Sequence, residues 1–410
     1  MPRQTEASYR RVLALPQVPE LLLSATLARL AGQMFSLAII LSALSRFGSP
    51  SLTGWIAFAS IGPGLIASPF AGAVLDRLQA PRAITLDMLV SAVLLVVLTL
   101  ADRAGLLGAP LWILIVTIYS LTTPLSASGI RVLIPRLVPD ESLERANALD
   151  TSCYALIEVI APALAGALVG FAGPDATLLI IAGLYASAAV SMLPILRGTS
   201  ARTARLSSAT FMTDVVAGVA YVARHPTLRA LVLSYSLYMM TWGILLVVVP
   251  VLVSHAVGST ETADLLVGFT WAAGGLFGAL GAVLMGRLRG RERQIIGIGI
   301  AATAVAIYPF STVLGLYGFI VGIVVVGFLS GPVDVALLTL RQRRTEPEWL
   351  GRVLTVSMGL NTSGIPIGSV IGGWVVTYSS SGALIVAAIV SVISAVTAFL
   401  MIPDAQTIRG

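Results

Sequence analysis

Glu158, Pro162 and Gly166 recur at intervals of four in an otherwise apolar run, so a helix there carries an acid, an imide and a bare backbone on one face. A charged side chain at membrane depth costs about 2.5–3.5 kcal/mol to insert, so its presence needs a use. The use that fits a carboxyl group is taking up and releasing a proton. Asp334 and Arg29 lie inside two further apolar runs and raise the same question. Glu158 is the first candidate for proton coupling and Asp334 the second; a static ion pair that neutralises Arg29 and Glu158 is the competing role. Asp87 and Asp150 fall near the starts of their runs, where the aligned backbone dipole of a helix favours an acid, and are expected to be structural. His225 and His255 have no partner at ligand spacing, so neither a metal nor a cofactor is expected. Cys153 is the one cysteine of the chain, which rules out an intramolecular disulfide.

These residues must be positioned by membrane-spanning helices. Apolar bands run over residues 20–45, 51–75, 83–101, 110–134, 148–171, 176–196, 228–253, 264–286, 294–311, 314–339, 353–377 and 382–402. Each approaches or exceeds the roughly 20 residues that a helix needs to cross hydrocarbon. Composition agrees: 57% of residues are hydrophobic, 11% are charged, and the mean hydropathy is +0.95. A soluble globule of this length would carry about twice that charge. No short apolar leader with a small-residue cleavage site precedes band 1, so no removable signal peptide is expected.

All 25 basic residues are arginines, and 22 of them fall in the N-terminal segment, the even-numbered connections, the centre of the chain and the tail. Arg46 and Arg103 lie on the other side and Arg29 within band 1. The positive-inside rule then puts both termini and the central loop in the cytoplasm, as expected of a bacterial inner membrane protein. The net charge of +6 forms no contiguous basic surface, and no nucleic acid partner is expected. An ATP-binding P-loop requires a lysine, which the chain lacks. The same absence removes Schiff-base chemistry, and few nucleophiles remain, so an enzyme is not expected. Gly274, Gly275 and Gly278 resemble a dinucleotide loop only in spacing, because they sit inside an apolar band where small residues allow close helix packing.

The chain also repeats itself. Leu143 and Leu350, Arg145 and Arg352, and Gly166 and Gly373 share one offset of 207 residues, while Gly72 and Gly281 close bands 2 and 8 at an offset of 209. Two six-helix bundles follow, over residues 1–197 and 227–410, in an all-α polytopic membrane protein. In the connection at 198–226, Phe211, Val215, Val219 and Val222 recur at helical intervals, which fits an amphipathic helix or an extension of band 7 broken by Pro226.

Gly72, Asp76, Arg77 and Arg82 resemble the signature that the major facilitator superfamily carries between its second and third helices. LQAPR (78–82) replaces the usual glycine and basic pair, and the second copy has Met285 in place of the aspartate. GVAYVARHPTLRAL (218–231) and GPVDVALLTLRQRRTEPEWLGRV (331–353) are similar to the bacterial efflux branch that includes macrolide and siderophore exporters. Asp334 stands where relatives commonly have asparagine. Ala161, Pro162 and Gly166 resemble the antiporter signature of helix 5, with alanine in place of its first glycine.

The resemblance, which covers essentially the whole chain, implies two lobes rocking about a central site, with bands 1, 4, 7 and 10 lining it and bands 2, 5, 8 and 11 forming the seam. It implies a monomer that exports small amphipathic molecules, drug-like compounds or siderophores, in exchange for protons across the lipid bilayer. Uptake, or flipping of a lysolipid, is the alternative on the same fold. Asp76 with Arg77 and Arg82 would then be a conformational latch, since a pair across the seam must break as the halves move. Gln33, Phe35, Tyr119, Tyr235, Tyr238, Trp242 and Asn361 are the candidates for a roomy substrate surface.

Overall fold

The computed structural model describes residues 9–198, 208–285 and 291–403, without the side chains of 73, 76, 198, 208–215, 285 and 309–313. Among them every regular element is a helix: α1 (Tyr9–Leu13), α2 (Val18–Phe47), α3 (Pro50–Leu78), α4 (Ala80–Arg103), α5 (Ala109–Leu137), α6 (Asp140–Ala172), α7 (Pro174–Ser191), α8 (Leu193–Gly198), α9 (Ser208–Arg224), α10 (Pro226–Ala256), α11 (Thr260–Met285), α12 (Glu292–Arg343), α13 (Leu350–Thr362), α14 (Gly364–Tyr378) and α15 (Ser380–Met401). Prolines at the first or second helical position start α2, α3, α4, α5, α7 and α10, where the missing N–H would have no partner in any case. Ser49 caps α3 by accepting from the Leu52 amide at 3.4 Å, and Ser379 caps α15 through the Gly382 amide at 2.9 Å.

Ten helices among the described residues are long and apolar enough to cross a membrane. The other two expected crossings are helical as well, and both depart from a single straight rod. The bands at 294–311 and 314–339 join in the 52-residue run of α12, about 78 Å if straight and far longer than a bilayer is thick. The run kinks at Gly315, whose φ of 59° and ψ of −140° only glycine adopts without strain. The band at 353–377 is divided into α13 and α14 around Ser363.

The two halves pack by the same plan. In the first, α2 lies against α6 and α7, α3 against α5, and α4 against α7; in the second, α10 lies against α14 and α15, α11 against α12, and α12 against α15. Each contact of one half has its counterpart in the other, which is the pseudo-two-fold repeat expected from the sequence offset. Between the halves, α3 packs on α14 and α6 on α11. Exchanging the halves maps one of these seams onto the other.

Both seams are tightest at the arginine-poor end of the bundle, where the α3 and α11 chains begin and α6 and α14 finish. A Cβ on Gly166 would lie 2.6 Å from the Gly268 Cα, and one on Gly268 2.6 Å from the Pro162 carbonyl. In the other seam a Cβ on Gly373 would lie 3.0 Å from the Gly54 Cα, and the Ser369 hydroxyl donates to the Gly54 carbonyl at 3.2 Å. Backbone therefore meets backbone across both seams.

The central connection forms a helix of its own. α9 ends at Arg224, His225 breaks the backbone, and Pro226 starts α10. Tyr221 stacks on Trp349 with centroids 4.8 Å apart, and α9 packs on α13 and α3. The Phe211 and Val215 side chains lie outside the described residues; Val219 is exposed and Val222 is buried.

Candidate functional site

α6 carries one unbroken stripe of polar, proline and glycine residues. Asp150, Tyr154, Glu158, Pro162 and Gly166 follow at intervals of four, and the helix that bears them begins at Asp140. The polar first turns of α6 lie outside the apolar band, so Asp150 sits well inside the helix and not at its start. It receives Arg29 of α2 in a two-pronged ion pair, Nη1 to Oδ1 at 2.6 Å and Nη2 to Oδ2 at 2.9 Å. The Arg29 guanidinium also rests over the Tyr154 ring, 5.6 Å from its centroid. The expected partner Glu158 is thus not the one that Arg29 takes.

Glu158 instead opens onto a cavity of about 600 Å³ between the halves. Asp334 of α12 lines the same cavity and accepts a hydrogen bond from the Tyr235 hydroxyl of α10. Tyr235, Met239, Trp242 and Leu246 reach this space from α10 because residues three and four apart share a helical face. Trp271 of α11 continues the wall, its ring 5.8 Å from that of Trp242. Gly274, Gly275 and Gly278 line it where α11 lies close to α12 and α6. The site therefore offers two carboxyl groups in an apolar and aromatic surround, a setting able to hold a proton beside an apolar surface.

A second cavity of about 440 Å³ lies within the first half, among α2, α3, α5 and α6. Gln33 and Ser36 line both cavities, so one face of α2 partitions them. Phe35 and Tyr119 meet with ring centroids 4.1 Å apart, and the Tyr119 and Tyr185 hydroxyls are 2.5 Å apart. Arg29 and Arg131 supply the charge of this lining.

Two residues proposed for the substrate surface are placed elsewhere. Tyr238 shares the face of Tyr235 and Trp242 but is fully buried behind them, its ring 5.7 Å from that of Tyr235 and 6.4 Å from that of Trp242. Asn361 is buried at the end of α13; in the amide orientation that satisfies both its ends, it accepts from Arg341 Nη2 at 2.7 Å and donates to the Ser357 carbonyl at 3.2 Å. Of the residues expected to form a latch, Gly72 lies near the end of α3, and Arg77 and Arg82 are exposed at the arginine-rich end. The Asp76 side chain lies outside the described residues. Ala161 is buried on α6, and Pro162 and Gly166 meet α11 at the seam.

Asp87, expected to be structural near headgroups, is 1% exposed in α4 and accepts from the Ser126 hydroxyl of α5, while its Oδ1 has no partner among the described residues. A carboxyl so enclosed escaped the sequence reading because α4 begins at Ala80, three residues ahead of the apolar band.

Residues 21–365 and 231–409 match the Major Facilitator Superfamily. The chain is similar to the MFS-type transporter y4rN of Sinorhizobium fredii, with 44% identity over 99% of this chain and 100% of that one. It is also similar to macrolide efflux protein A of Streptococcus pyogenes, with 25% identity over 82% of this chain and 84% of that one. Among solved structures the fold is similar to that of the nucleoside transporter NupG, with a TM-score of 0.72 and 15% identity, covering 94% of this chain and 98% of that one. Two repeated halves, two glycine seams and a cavity between the halves accompany that match, and the chain belongs to the Major Facilitator Superfamily of membrane transporters.

Proposed function

We propose that the protein exports small amphipathic molecules, drug-like compounds or siderophores, by exchanging them for protons. The observation that carries this reading is that Glu158 and Asp334, from different halves, line one cavity between them. Two acids facing one space let proton uptake and ligand release exclude each other as the halves rock. The likeness to a macrolide efflux protein supports export over uptake.

The arginine-rich end is the cytoplasmic one in this reading, with both termini inside a bacterial inner membrane and the protein working as a monomer. The two arginines of the opposite end are each neutralised: Arg46 pairs with Asp102 at 3.0 Å, and Arg103 with Asp175 at 2.7 Å. With the seams interlocked at the arginine-poor end, the cavity faces the cytoplasm, and Gly72, Asp76, Arg77 and Arg82 form a latch that engages when the molecule faces outward.

The test is efflux of an amphipathic fluorescent probe from proteoliposomes under an imposed pH gradient. Glu158→Gln is expected to retain probe binding and to lose gradient-driven efflux by about tenfold or more, in line with the loss of one proton-transferring group. Unchanged efflux in that variant, with loss in Asp334→Asn alone, moves the coupling role to Asp334. Efflux unchanged in both variants overturns the mechanism.

A further inference from the structure

We infer that the smaller cavity, inside the first half, is a subsite for an anionic head group carried on an apolar body, an inference that rests on the export reading and narrows its substrate class. Charge divides the two cavities. Both acids of the central region, Glu158 and Asp334, line the larger one, and no aspartate or glutamate lines the smaller one among the described residues. The smaller one has Arg29 and Arg131 in its wall.

The two guanidiniums differ in what they have to spare. Asp150 holds Arg29 in the two-pronged pair and neutralises it. Arg131, on α5, forms no ion pair among the described residues and is exposed to the cavity mouth. One positive charge therefore remains without its counterion at the mouth of a concave space walled on several sides by helices. Such a charge attracts an anion more strongly than the same arginine on an open surface would, and the planar guanidinium suits the paired oxygens of a phosphate or carboxylate.

Hydroxyl groups complete the complementarity. Ser68 and Ser128 line the cavity and make no hydrogen bond among the described residues, so both O–H groups are available to an acceptor. Phe35 and the Tyr119 and Tyr185 pair close the inner end with aromatic surface. Past Gln33 and Ser36, which line both spaces, the larger cavity offers Met239, Trp242 and Trp271 to an apolar body. A ligand lying across that partition would hold its anion at Arg131 and its hydrophobic part between the halves. A cationic amphiphile would instead meet an uncompensated arginine, and repulsion of that kind discriminates as effectively as attraction.

Three probes with one aromatic body test the charge preference: naphthyl phosphate, naphthyltrimethylammonium and neutral naphthol, each titrated against the full-length protein in nanodiscs by equilibrium dialysis. The phosphate probe is expected to bind about tenfold more tightly than the ammonium probe, or better. Arg131→Gln is expected to remove that preference, and Arg131→Lys to keep most of it, because the site needs the charge first. The arginine is exposed, so neither variant should lower the melting temperature. Inorganic phosphate added as a competitor separates a head group from a free ion: failure to displace naphthyl phosphate supports an amphiphile, and displacement at equal concentration overturns the need for an apolar body. Equal or reversed affinities in the intact protein, an unchanged preference in Arg131→Gln, or no binding of any probe overturns the subsite. Gradient-driven transport, measured separately, distinguishes the two claims: a phosphate preference without transport leaves the subsite and removes the exporter, and transport without the preference does the reverse.

Discussion

Arg29 and Asp150 hold α2 to α6 at membrane depth, with relative side-chain exposures of 16% and 15%. Removing one partner leaves an uncompensated charge in a poor solvent, whereas removing both leaves two neutral groups. Arg29→Gln alone is therefore expected to cost about 3 kcal/mol, and the double change with Asp150→Asn to recover most of it. Thermal melting in detergent measures the cycle, and simple addition of the two single losses would show that the pair does not stabilise the bundle. Tyr235→Phe tests a second residue by keeping ring volume while deleting the hydroxyl that donates to Asp334. It is expected to slow gradient-driven efflux several-fold without changing stability by more than about 1 kcal/mol, the net worth of a typical hydrogen bond. Equal loss of stability and efflux would reduce Tyr235 to a packing role.

The spacing of Glu158, Pro162 and Gly166 was legible in the sequence because it repeats a helical period within an apolar run. Asp150 and Tyr154 belong to the same series, and the band boundary at 148 concealed it by making Asp150 look terminal. Hydropathy marks where a helix enters hydrocarbon, not where it begins. Asp87 was hidden for the same reason. The partner that Arg29 takes and the burial of Asn361 against Arg341 depend on contacts between distant segments, which no local pattern encodes.

At the scale of elements, the seams decide which end of the molecule is shut. Gly268 lies so near the α6 backbone that any side chain larger than hydrogen displaces the helix. Gly268→Leu is expected to part α6 from α11 and to shift the population away from the state closed at the arginine-poor end. Spin labels at Phe171→Cys and Tyr378→Cys, two exposed positions there, would read this as a longer distance in a background with Cys153→Ser. An unchanged distance distribution would mean that the glycine contacts do not set the equilibrium. Helix packing of this kind was partly readable, since Gly166 and Gly373 stood out as repeat partners. Gly54 and Gly268 carried no comparable signal and are recognised only from their close approach. The division of the band at 353–377 did leave a signal, since Gly364 and Pro366 follow Ser363 and interrupt a helix, but hydropathy alone passes over it.

At the scale of the whole molecule, two repeated halves enclose one cavity, and the acids that line it come from one half each. Under the proposed exchange, that arrangement would make the direction of movement a property of the proton gradient rather than of the ligand alone. The most direct measurement is therefore the response of probe movement in proteoliposomes of the intact protein to the sign of the imposed pH gradient. Exchange predicts that the probe moves against the proton gradient and reverses when the gradient is reversed. Movement in the same direction as the protons, or equilibration that ignores the gradient, would contradict proton-driven export.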